Sequence, residues 1–247
     1  MTQQRPVTLR LRASGALACF TRPECSVERV SYPWITPSAA RAIFEAVLWK
    51  PRIRYEIREI QVLKPIRTTA IRRNEIGCVI NEKKISPESR ILCDEERQQR
   101  NTLALKDVDY LLTADLYLRD ELRERPDEVD DEGKPLFRGA DPDNHGKYGG
   151  MFERRLKKGQ CFHRPYLGCR EFAADVRPPD GTEKPITDSS DHGPMFYDFR
   201  YPISDEDRQK DGGHRWRAGA ATPLFFNAHM KNGIIAVPKY QDVGGAV

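Results

Sequence analysis

Apolar and polar residues alternate near the start of the chain, which predicts a half-buried β-strand over 7–11. A helix is predicted after Thr36, a common N-cap residue, because Pro37 suits the first helical position and apolar residues then recur with helical spacing over 40–48. The helix should end before Pro51, since a residue that precedes proline avoids the helical conformation. The opening of the chain therefore predicts a strand followed by an amphipathic helix.

The next segments alternate between regular and irregular patterns. Residues 53–62 alternate but change phase after Ile57, which predicts a long strand with a bulge. Residues 65–105 are irregular and charged, which predicts a long hairpin or loop insertion, and such insertions often carry function. Residues 108–118 are rich in Tyr, Leu and Thr and predict another strand. The acidic residues 119–145 predict a mobile loop.

A second helix is predicted over 146–158 from an apolar stripe that begins at Tyr148, with Gly159 as its C-cap. Residues 166–176 are then expected to form a strand. The resulting order is β-α-β, insertion, β-α-β, which is the ferredoxin-like split pattern that the RNA-recognition module shares. The sequence therefore predicts an α+β fold in which residues 1–176 form a ferredoxin-like, RRM-like domain with a long hairpin insertion.

The C-terminal part of the chain, 177–247, is expected to form a small antiparallel β-sheet region packed on the first domain. Strands are predicted over 195–201 and 224–230. The dipeptide of Asn232 and Gly233, which follows the second of these strands, is typical of a type I′ hairpin turn. We therefore predict two domains, of which the C-terminal one is the smaller and is rich in β-structure.

Composition and cysteine usage narrow the protein class. Hydrophobic residues make up 38% of the 247 residues and charged residues 32%, so a core is possible beneath a highly charged surface. No window approaches the ~20 apolar residues of a membrane span, and the N-terminal MTQQRPVTLRLR lacks the apolar region of a secretory signal. The six cysteines form no C-x-x-C pair and are interpreted as reduced thiols, which predicts a cytoplasmic protein with neither a disulfide framework nor structural zinc.

Charge is unevenly distributed, although the net charge is only +4. Residues 1–75 hold fourteen Lys and Arg against six Asp and Glu, and residues 146–171 hold seven against two. The acidic segment 115–145 separates these blocks, with eleven acidic residues against five basic ones. If the two basic blocks meet in space, they form a cationic surface suited to a polyanion; the alternative is ordinary solvated charge.

Motifs for common cofactors are missing from the sequence. It contains no P-loop, dinucleotide fingerprint, zincin motif or α/β-hydrolase elbow, and its histidines and carboxylates lack metal-ligand spacing. We therefore predict no cofactor and no metal. Three segments instead mix arginine, aromatic residues and proline, at 20–24, 28–33 and 162–172. Arginine binds phosphate and aromatic rings stack on unpaired bases; the alternative is that the aromatics are core residues and the arginines pair with neighbouring glutamates.

The segment 144–148 offers the residue types that metal-free RNA cleavage needs. Attack of a 2′-hydroxyl on the adjacent phosphate needs a base, an acid and a cation for the charge that develops on phosphorus. His145, Lys147 and Tyr148 are suitable residue types. The alternative is a helix N-terminus in which Tyr148 packs inward.

Several long motifs resemble those of one known family. The chain resembles the type I-C CRISPR-associated protein of the fifth Cas family, d variant, from about 7 to 176 and more loosely to the C-terminus. The motifs, in the family's order, are CFTRPE at 19–24, ERVSYP at 28–33, TPSAARAIFEAVLWKP at 36–51, VLKPI at 62–66, RRNE at 72–75, QRNTLALKDVDY at 99–110 and KYGGMFERRLKKGQCFHRPYLGCREF at 147–172.

The resemblance implies a RAMP-superfamily fold and a metal-independent endoribonuclease that cuts precursor CRISPR RNA at the base of the repeat hairpin. It also implies that the protein stays on the crRNA 5′ handle, as a subunit of the type I-C Cascade interference complex. The partners would be the backbone and large subunits and, indirectly, target DNA. Candidate catalytic residues are Lys147, Tyr148 and His145. Candidate RNA-binding residues are Arg22, Arg29, Tyr32, Arg41, Lys50, Arg72, Arg73, Arg154, Lys158 and Arg170.

One departure from the family pattern bears on catalysis. Family members that cleave are described with Tyr or His just before Trp-Lys-Pro and with Lys-His at the second helix, whereas this chain has Leu48 and the pair Lys147-Tyr148. Leu48 cannot carry a proton, and a tyrosine with its reference pKa near 10 is a poor base at neutral pH. We therefore expect His145 to substitute. The alternative is a non-catalytic scaffold subunit that binds the crRNA 5′ handle in the same complex.

Overall fold

The computed structural model describes residues 6–25, 27–78, 94–118, 145–200 and 221–244. Two α-helices and nine β-strands lie within these ranges. The helices are α1 (Pro37–Val47) and α2 (His145–Lys157). The strands are β1 (Val7–Ala18), β2 (Arg29–Val30), β3 (Ile53–Val62), β4 (Thr68–Ile76), β5 (Arg97–Leu118), β6 (Asp175–Arg177), β7 (Ser190–Arg200), β8 (Thr222–Lys231) and β9 (Ile234–Ala236).

All nine strands belong to one sheet, in the order β6-β1-β5-β3-β9-β8-β7, and β2 and β4 also pair with β5. The pairing of β2 with β5 is parallel and the others are antiparallel. The described residues therefore have the predicted α+β fold. Because β9 pairs with β3, the C-terminal strands extend the sheet that the earlier strands begin. The division into domains at 1–176 and 177–247 stays a prediction.

Helix α1 follows the local signals in its sequence. The Thr36 hydroxyl accepts a hydrogen bond from the backbone N–H of Ala39 at 3.3 Å, and Pro37 occupies the first turn. These features satisfy a free N–H group and preset the backbone angle at the helix start. Ile43 and Phe44 lie on the buried face, and the backbone becomes extended at Leu48. The prediction for this helix is confirmed.

An aromatic stack joins the two helices to the sheet. The ring of Phe44 on α1 stacks on Phe152 of α2, with centroids 5.4 Å apart and planes 18° apart. The Tyr55 ring on β3 lies 5.5 Å from Phe44 and 6.0 Å from Phe152. All three side chains are buried. Because large rings contribute much of the energy of a core, this stack fixes where both helices lie.

Helix α2 ends at a glycine, as predicted. Gly159 has φ +64, a left-handed conformation that side chains with a Cβ rarely adopt. Its N–H donates to the Leu156 carbonyl at 3.2 Å, and the N–H of Gln160 donates to the Arg155 carbonyl at 2.9 Å. These bonds satisfy the last carbonyls of the helix, so the chain reverses direction directly after α2.

The predicted bulge and hairpin are both present. The register of β3 against β5 shifts between Ile57 and Glu59, which confirms the bulge. β4 pairs with the first half of β5, so of the two alternatives predicted for 65–105, a long hairpin or a loop insertion, the hairpin is confirmed. Polar residues dominate β4, so the cross-strand hydrogen bonds and not an apolar pattern define it. Residues 79–93, between β4 and β5, lie outside the described residues. Residues 119–144, which make up most of the predicted acidic loop, also lie outside them.

The strand predicted over 166–176 is wrong. Only Asp175–Arg177 forms a strand there, and the preceding residues form a tight loop. The Leu167 N–H donates to the Phe172 carbonyl at 2.8 Å, and Gly168 has φ +83. This left-handed residue turns the backbone back on itself, which an extended strand cannot do.

The C-terminal strands agree with the sequence prediction where they are described. β7 contains the predicted residues up to 200, and β8 contains all of 224–230. Asn232 and Gly233 have φ of 49 and 73, as a type I′ turn requires. The predicted hairpin between β8 and β9 is therefore confirmed.

Candidate nucleic-acid interface

A basic stripe follows the outer face of α2. Lys147, Arg154 and Lys158 are all exposed, and their spacing of seven and four residues returns them to nearly the same direction around the helix axis. Lys158 lies eleven positions after Lys147, a distance of about 16 Å along the axis at 1.5 Å per residue. These side chains therefore form one cationic ridge.

The start of α2 separates the three candidate catalytic residues. Lys147 is exposed, whereas His145 and Tyr148 are buried, and Tyr148 belongs to the main hydrophobic core. The first-turn N–H groups of a helix bind anions, and they lie beside Lys147. A phosphate at this point meets a side-chain cation and backbone donors, while the two groups that could carry a proton face inward.

Position 48, where cleaving members of the resembled family have Tyr or His, lies in the core. Leu48 is 3% exposed. Its carbonyl accepts a hydrogen bond from the Tyr55 hydroxyl at 2.8 Å. Burial raises the pKa of Tyr55, so this hydroxyl stays protonated and donates. The side chain at this position therefore completes the apolar face of α1.

The segment that follows α2 is held against the end of α1. The Phe162 N–H donates to the Ala46 carbonyl at 2.6 Å, and Arg155 Nε donates to the Val47 carbonyl at 2.7 Å. The Arg155 guanidinium thus lies at the negative end of the helix dipole of α1. Sequence reasoning missed Arg155, because its partner lies 108 residues away in the chain. These bonds place the ends of both helices beside each other.

Two of the predicted RNA-binding arginines, Arg29 and Arg73, pair with the same glutamate on β4. Arg73 on β4 pairs with Glu171 and with Glu75 at 3.1 Å. Arg29 also pairs with Glu75, at 3.2 Å. Arg29 belongs to one of the three segments that mix arginine and aromatic residues, and its partner Glu75 lies outside that segment, on β4. Nearby carboxylates reduce the positive charge that this pair offers to a phosphate.

Arg29 also contacts a buried thiol. Its Nη1 lies 3.4 Å from Cys169 Sγ. A hydrogen bond with the Cys19 thiol, and then the one from Arg29, lower the pKa of Cys169 to about 6. The contact with Cys169 occupies part of the Arg29 guanidinium, which leaves fewer of its N–H donors for a phosphate.

Three other candidates lie against the core. Tyr32 is 2% exposed, and its hydroxyl accepts a hydrogen bond from the Phe196 N–H at 3.2 Å. The Arg22 guanidinium lies over the Tyr32 ring, 5.4 Å from its centroid. Arg41 pairs with Asp198 at 2.9 Å. The positions of Tyr32 and Arg41 thus support a role in packing β7 against the rest of the protein and do not support RNA contact.

The remaining candidates are exposed and fall in two regions. Lys50 lies just beyond α1 and joins the α2 ridge at the end of that helix. Arg170 lies near the β4–β5 hairpin, because its neighbour Glu171 pairs with Arg73. The exposed candidates are Lys50, Arg72, Lys147, Arg154, Lys158 and Arg170.

Within the residues that the structure describes, no group of three or more His, Cys, Asp or Glu side chains could hold a metal ion. None of the helices in that part of the chain has the length and apolar character to cross a bilayer.

Comparisons with known proteins agree with the motif resemblance. The family model described as "CRISPR-associated protein (Cas_Cas5)" matches residues 8–238. Two curated relatives are both named "CRISPR pre-crRNA endoribonuclease Cas5d". The one from Thermus thermophilus is 44% identical over 241 residues, which cover 95% of this chain and 94% of the relative. The one from Mannheimia succiniciproducens is 38% identical over 240 residues, which cover 94% and 95%.

A solved structure has the same fold. It is described as "Crystal Structure of CRISPR-associated Protein" and matches with a TM-score of 0.63 at 20% sequence identity. The match covers 99% of this chain and 100% of that chain. The fold therefore extends over both parts of the sequence.

Proposed function

This chain belongs to the Cas5d family of CRISPR-associated proteins, and on that premise we propose that it cleaves precursor CRISPR RNA and stays on the 5′ handle of the product. The observation that locates the proposed RNA site is the cationic ridge that begins with Lys147 at the N-terminus of α2. The ridge offers positive charge and helix N–H groups in one place, which suits a phosphate undergoing substitution.

We assign the strands β6-β1-β5-β3 to a ferredoxin-like arrangement of the RAMP type. Helix α1 lies between β1 and β3 in the chain, and α2 lies between β5 and β6. The four strands alternate in direction within the sheet. This interleaving of two β-α-β units supports the assignment.

The reaction follows from the chemistry of RNA. The 2′-oxygen attacks the adjacent phosphorus, and the bond from phosphorus to the 5′-oxygen breaks. A base takes the 2′-proton and an acid returns a proton to the 5′-oxygen, so the products carry a 2′,3′-cyclic phosphate and a 5′-hydroxyl. Lys147 and the α2 N–H groups stabilise the charge on phosphorus. His145 or Tyr148 carries the proton, which requires that RNA binding brings one of these buried side chains at the start of α2 into contact with the RNA.

The second candidate function is binding of the crRNA 5′ handle without cleavage of the RNA. Leu48 fills a position where cleaving family members have Tyr or His, and it lies in the core. This observation favours a scaffold subunit that binds the 5′ handle next to the backbone and large subunits of a type I-C complex. Both candidates use the same cationic surface, so only a cleavage assay separates them.

Cleavage should need no divalent ion. We expect the repeat RNA to be cut at the same rate in excess EDTA and in magnesium, because a lysine and helix dipoles supply the positive charge. The product ends, identified by phosphatase and ligase sensitivity, should be a 2′,3′-cyclic phosphate and a 5′-hydroxyl. Full inhibition by EDTA with recovery in magnesium and a 3′-hydroxyl product would exclude this mechanism. Tight binding without any cut would favour the scaffold function.

RNA affinity should depend on the ridge in a salt-dependent way. For the double variant Arg154→Ala/Lys158→Ala, we expect the slope of log affinity against log salt to become shallower by about 0.7–0.9 for each lost phosphate contact. The measurement is fluorescence anisotropy of the repeat RNA over a salt series. The control variant, Lys231→Ala/Lys239→Ala, removes two exposed lysines near the C-terminal hairpin and should keep the slope. An equal change in both variants would mean that the ridge has no special role.

A further inference from the structure

Two segments without a single Asp or Glu meet at the C-terminal end of α1. Residues 46–55 contain three Lys or Arg, and residues 154–170 contain six. The hydrogen bonds from Phe162 N–H to the Ala46 carbonyl and from Arg155 Nε to the Val47 carbonyl hold the segments together. Glu45, which directly precedes the first segment, pairs with Arg41, so the surface around this helix end has an excess of positive charge, which is complementary to a polyanion.

Two large aromatic side chains are exposed at the same place. Trp49 is 49% exposed and Phe162 is 70% exposed. Single exposed aromatics are common on protein surfaces. These two differ from such isolated rings in their position. The Phe162 N–H makes one of the two hydrogen bonds that join the segments, and Trp49 lies two residues after Val47, whose carbonyl accepts the second bond. The Phe162 backbone is held by its hydrogen bond to Ala46, and Trp49 lies three residues beyond Ala46. Each ring has only two side-chain torsions to be ordered when a ligand covers it.

We propose that Trp49 and Phe162 form a stacking platform for unpaired bases of the repeat RNA, an inference that rests on the proposed function. Sites for single-stranded nucleic acid combine a positive surface that follows the phosphates with aromatic faces on which bases stack. Both elements are present here, with Lys50, Lys158 and Arg164 exposed beside the two rings. The platform therefore holds single-stranded RNA next to the hairpin.

The charge around the rings favours RNA over a protein partner. The cores of protein interfaces are depleted of lysine, whereas this surface contains lysines on both segments. A duplex also fits poorly, because its bases are covered by their neighbours in the helical stack and offer no open face.

The test separates base stacking from phosphate binding. Two versions of the repeat hairpin carry 2′-deoxyribose in the hairpin base and in the flanking nucleotides, which blocks cleavage. One has normal bases in the flanks, and the other has abasic flanks with the same phosphates. We expect the wild-type protein to bind the base-containing RNA more tightly by about 5- to 150-fold for each stacked base, as measured by fluorescence anisotropy.

The variant Trp49→Ala/Phe162→Ala should lose this preference. We expect the ratio of the two affinities to fall close to 1 while the salt slope stays that of the wild type, because the phosphate contacts remain. The aromatic variant Trp49→Phe/Phe162→Tyr should keep most of the ratio. The matched control Phe199→Ala/Phe225→Ala removes two exposed rings from β7 and β8 and should keep all of it.

Two results would overturn the inference, and they are distinguishable. If the alanine variant keeps the wild-type ratio, the rings do not stack on bases and serve a protein partner or the fold. If the wild-type protein binds neither RNA, the proposed function itself fails. Circular dichroism and thermal unfolding of each variant show whether a lost preference reflects a lost ring or a lost fold.

Discussion

Replacement of Lys147 by alanine should lower the rate of repeat cleavage by about 10²–10³-fold, the usual effect of removing one electrostatic donor from a transition state. The side chain is exposed at the N-terminus of α2, so its loss leaves the core intact. Single-turnover rates at saturating RNA measure the chemical step, and a parallel binding titration should change only by a small factor. Lys231→Ala, which removes an exposed lysine on β8, serves as the control and should cleave at the wild-type rate.

The proton carrier is then identified from the pH dependence of the same rate. A histidine near its ordinary pKa of ~6.5 should produce a bend around neutrality that disappears in His145→Ala. A tyrosine with its reference pKa near 10 produces no bend in that range, and Tyr148→Phe then abolishes the reaction. Cleavage by Lys147→Ala at the wild-type rate would contradict the whole site and leave the start of α2 with a structural role.

Replacement of Phe152 by alanine should destabilise the fold by about 3–5 kcal/mol, the usual cost of removing a buried phenyl ring. The ring stacks on Phe44 and contacts Tyr55, so the cavity would open between α1, α2 and β3. We expect the urea midpoint to fall with an unchanged slope, since the surface exposed on unfolding stays similar. The melting temperature should fall by roughly 6–20 °C for a chain of this length.

The neighbouring residue provides the control for this prediction. Met151 is only half-buried on the same helix, so Met151→Ala should cost distinctly less. Phe152→Leu, which keeps most of the volume, should fall between the two. Equal losses in Met151→Ala and Phe152→Ala would mean that the aromatic stack does not fix α2 on the sheet.

Elements with local signals could be predicted from the sequence, and those made by distant contacts could not. Helix α1 has its cap, its first-turn proline and its apolar face within twelve consecutive residues. The loop at 166–173 instead depends on Gly168, where an added Cβ would lie 2.0 Å from the Cys19 carbonyl oxygen. No pattern within that segment reveals a contact with a residue about 150 positions earlier.

The same distinction applies to the candidate site. The ridge of Lys147, Arg154 and Lys158 follows from helical spacing alone, once the helix over 146–158 has been predicted. Tyr32 lies in a basic, aromatic segment but packs beneath β7, where Phe196 donates to its hydroxyl. Phe162 belongs to one of the three segments that mix arginine and aromatic residues, whereas Trp49 lies outside all of them. Only their shared position at the end of α1 makes them a pair.

The pairing of β9 with β3 has a consequence for synthesis on the ribosome. β3 ends at Val62 and β9 begins at Ile234. The edge of β3 that pairs with β9 therefore has no partner while about 170 further residues are synthesised. At 5–20 residues per second this delay lasts roughly 10–35 s. A strand with an open edge can pair with another chain during that time. The open edge of β3 therefore exposes the nascent chain to aggregation until β9 is released from the ribosome. A chaperone that covers this edge during synthesis should increase the yield of folded protein.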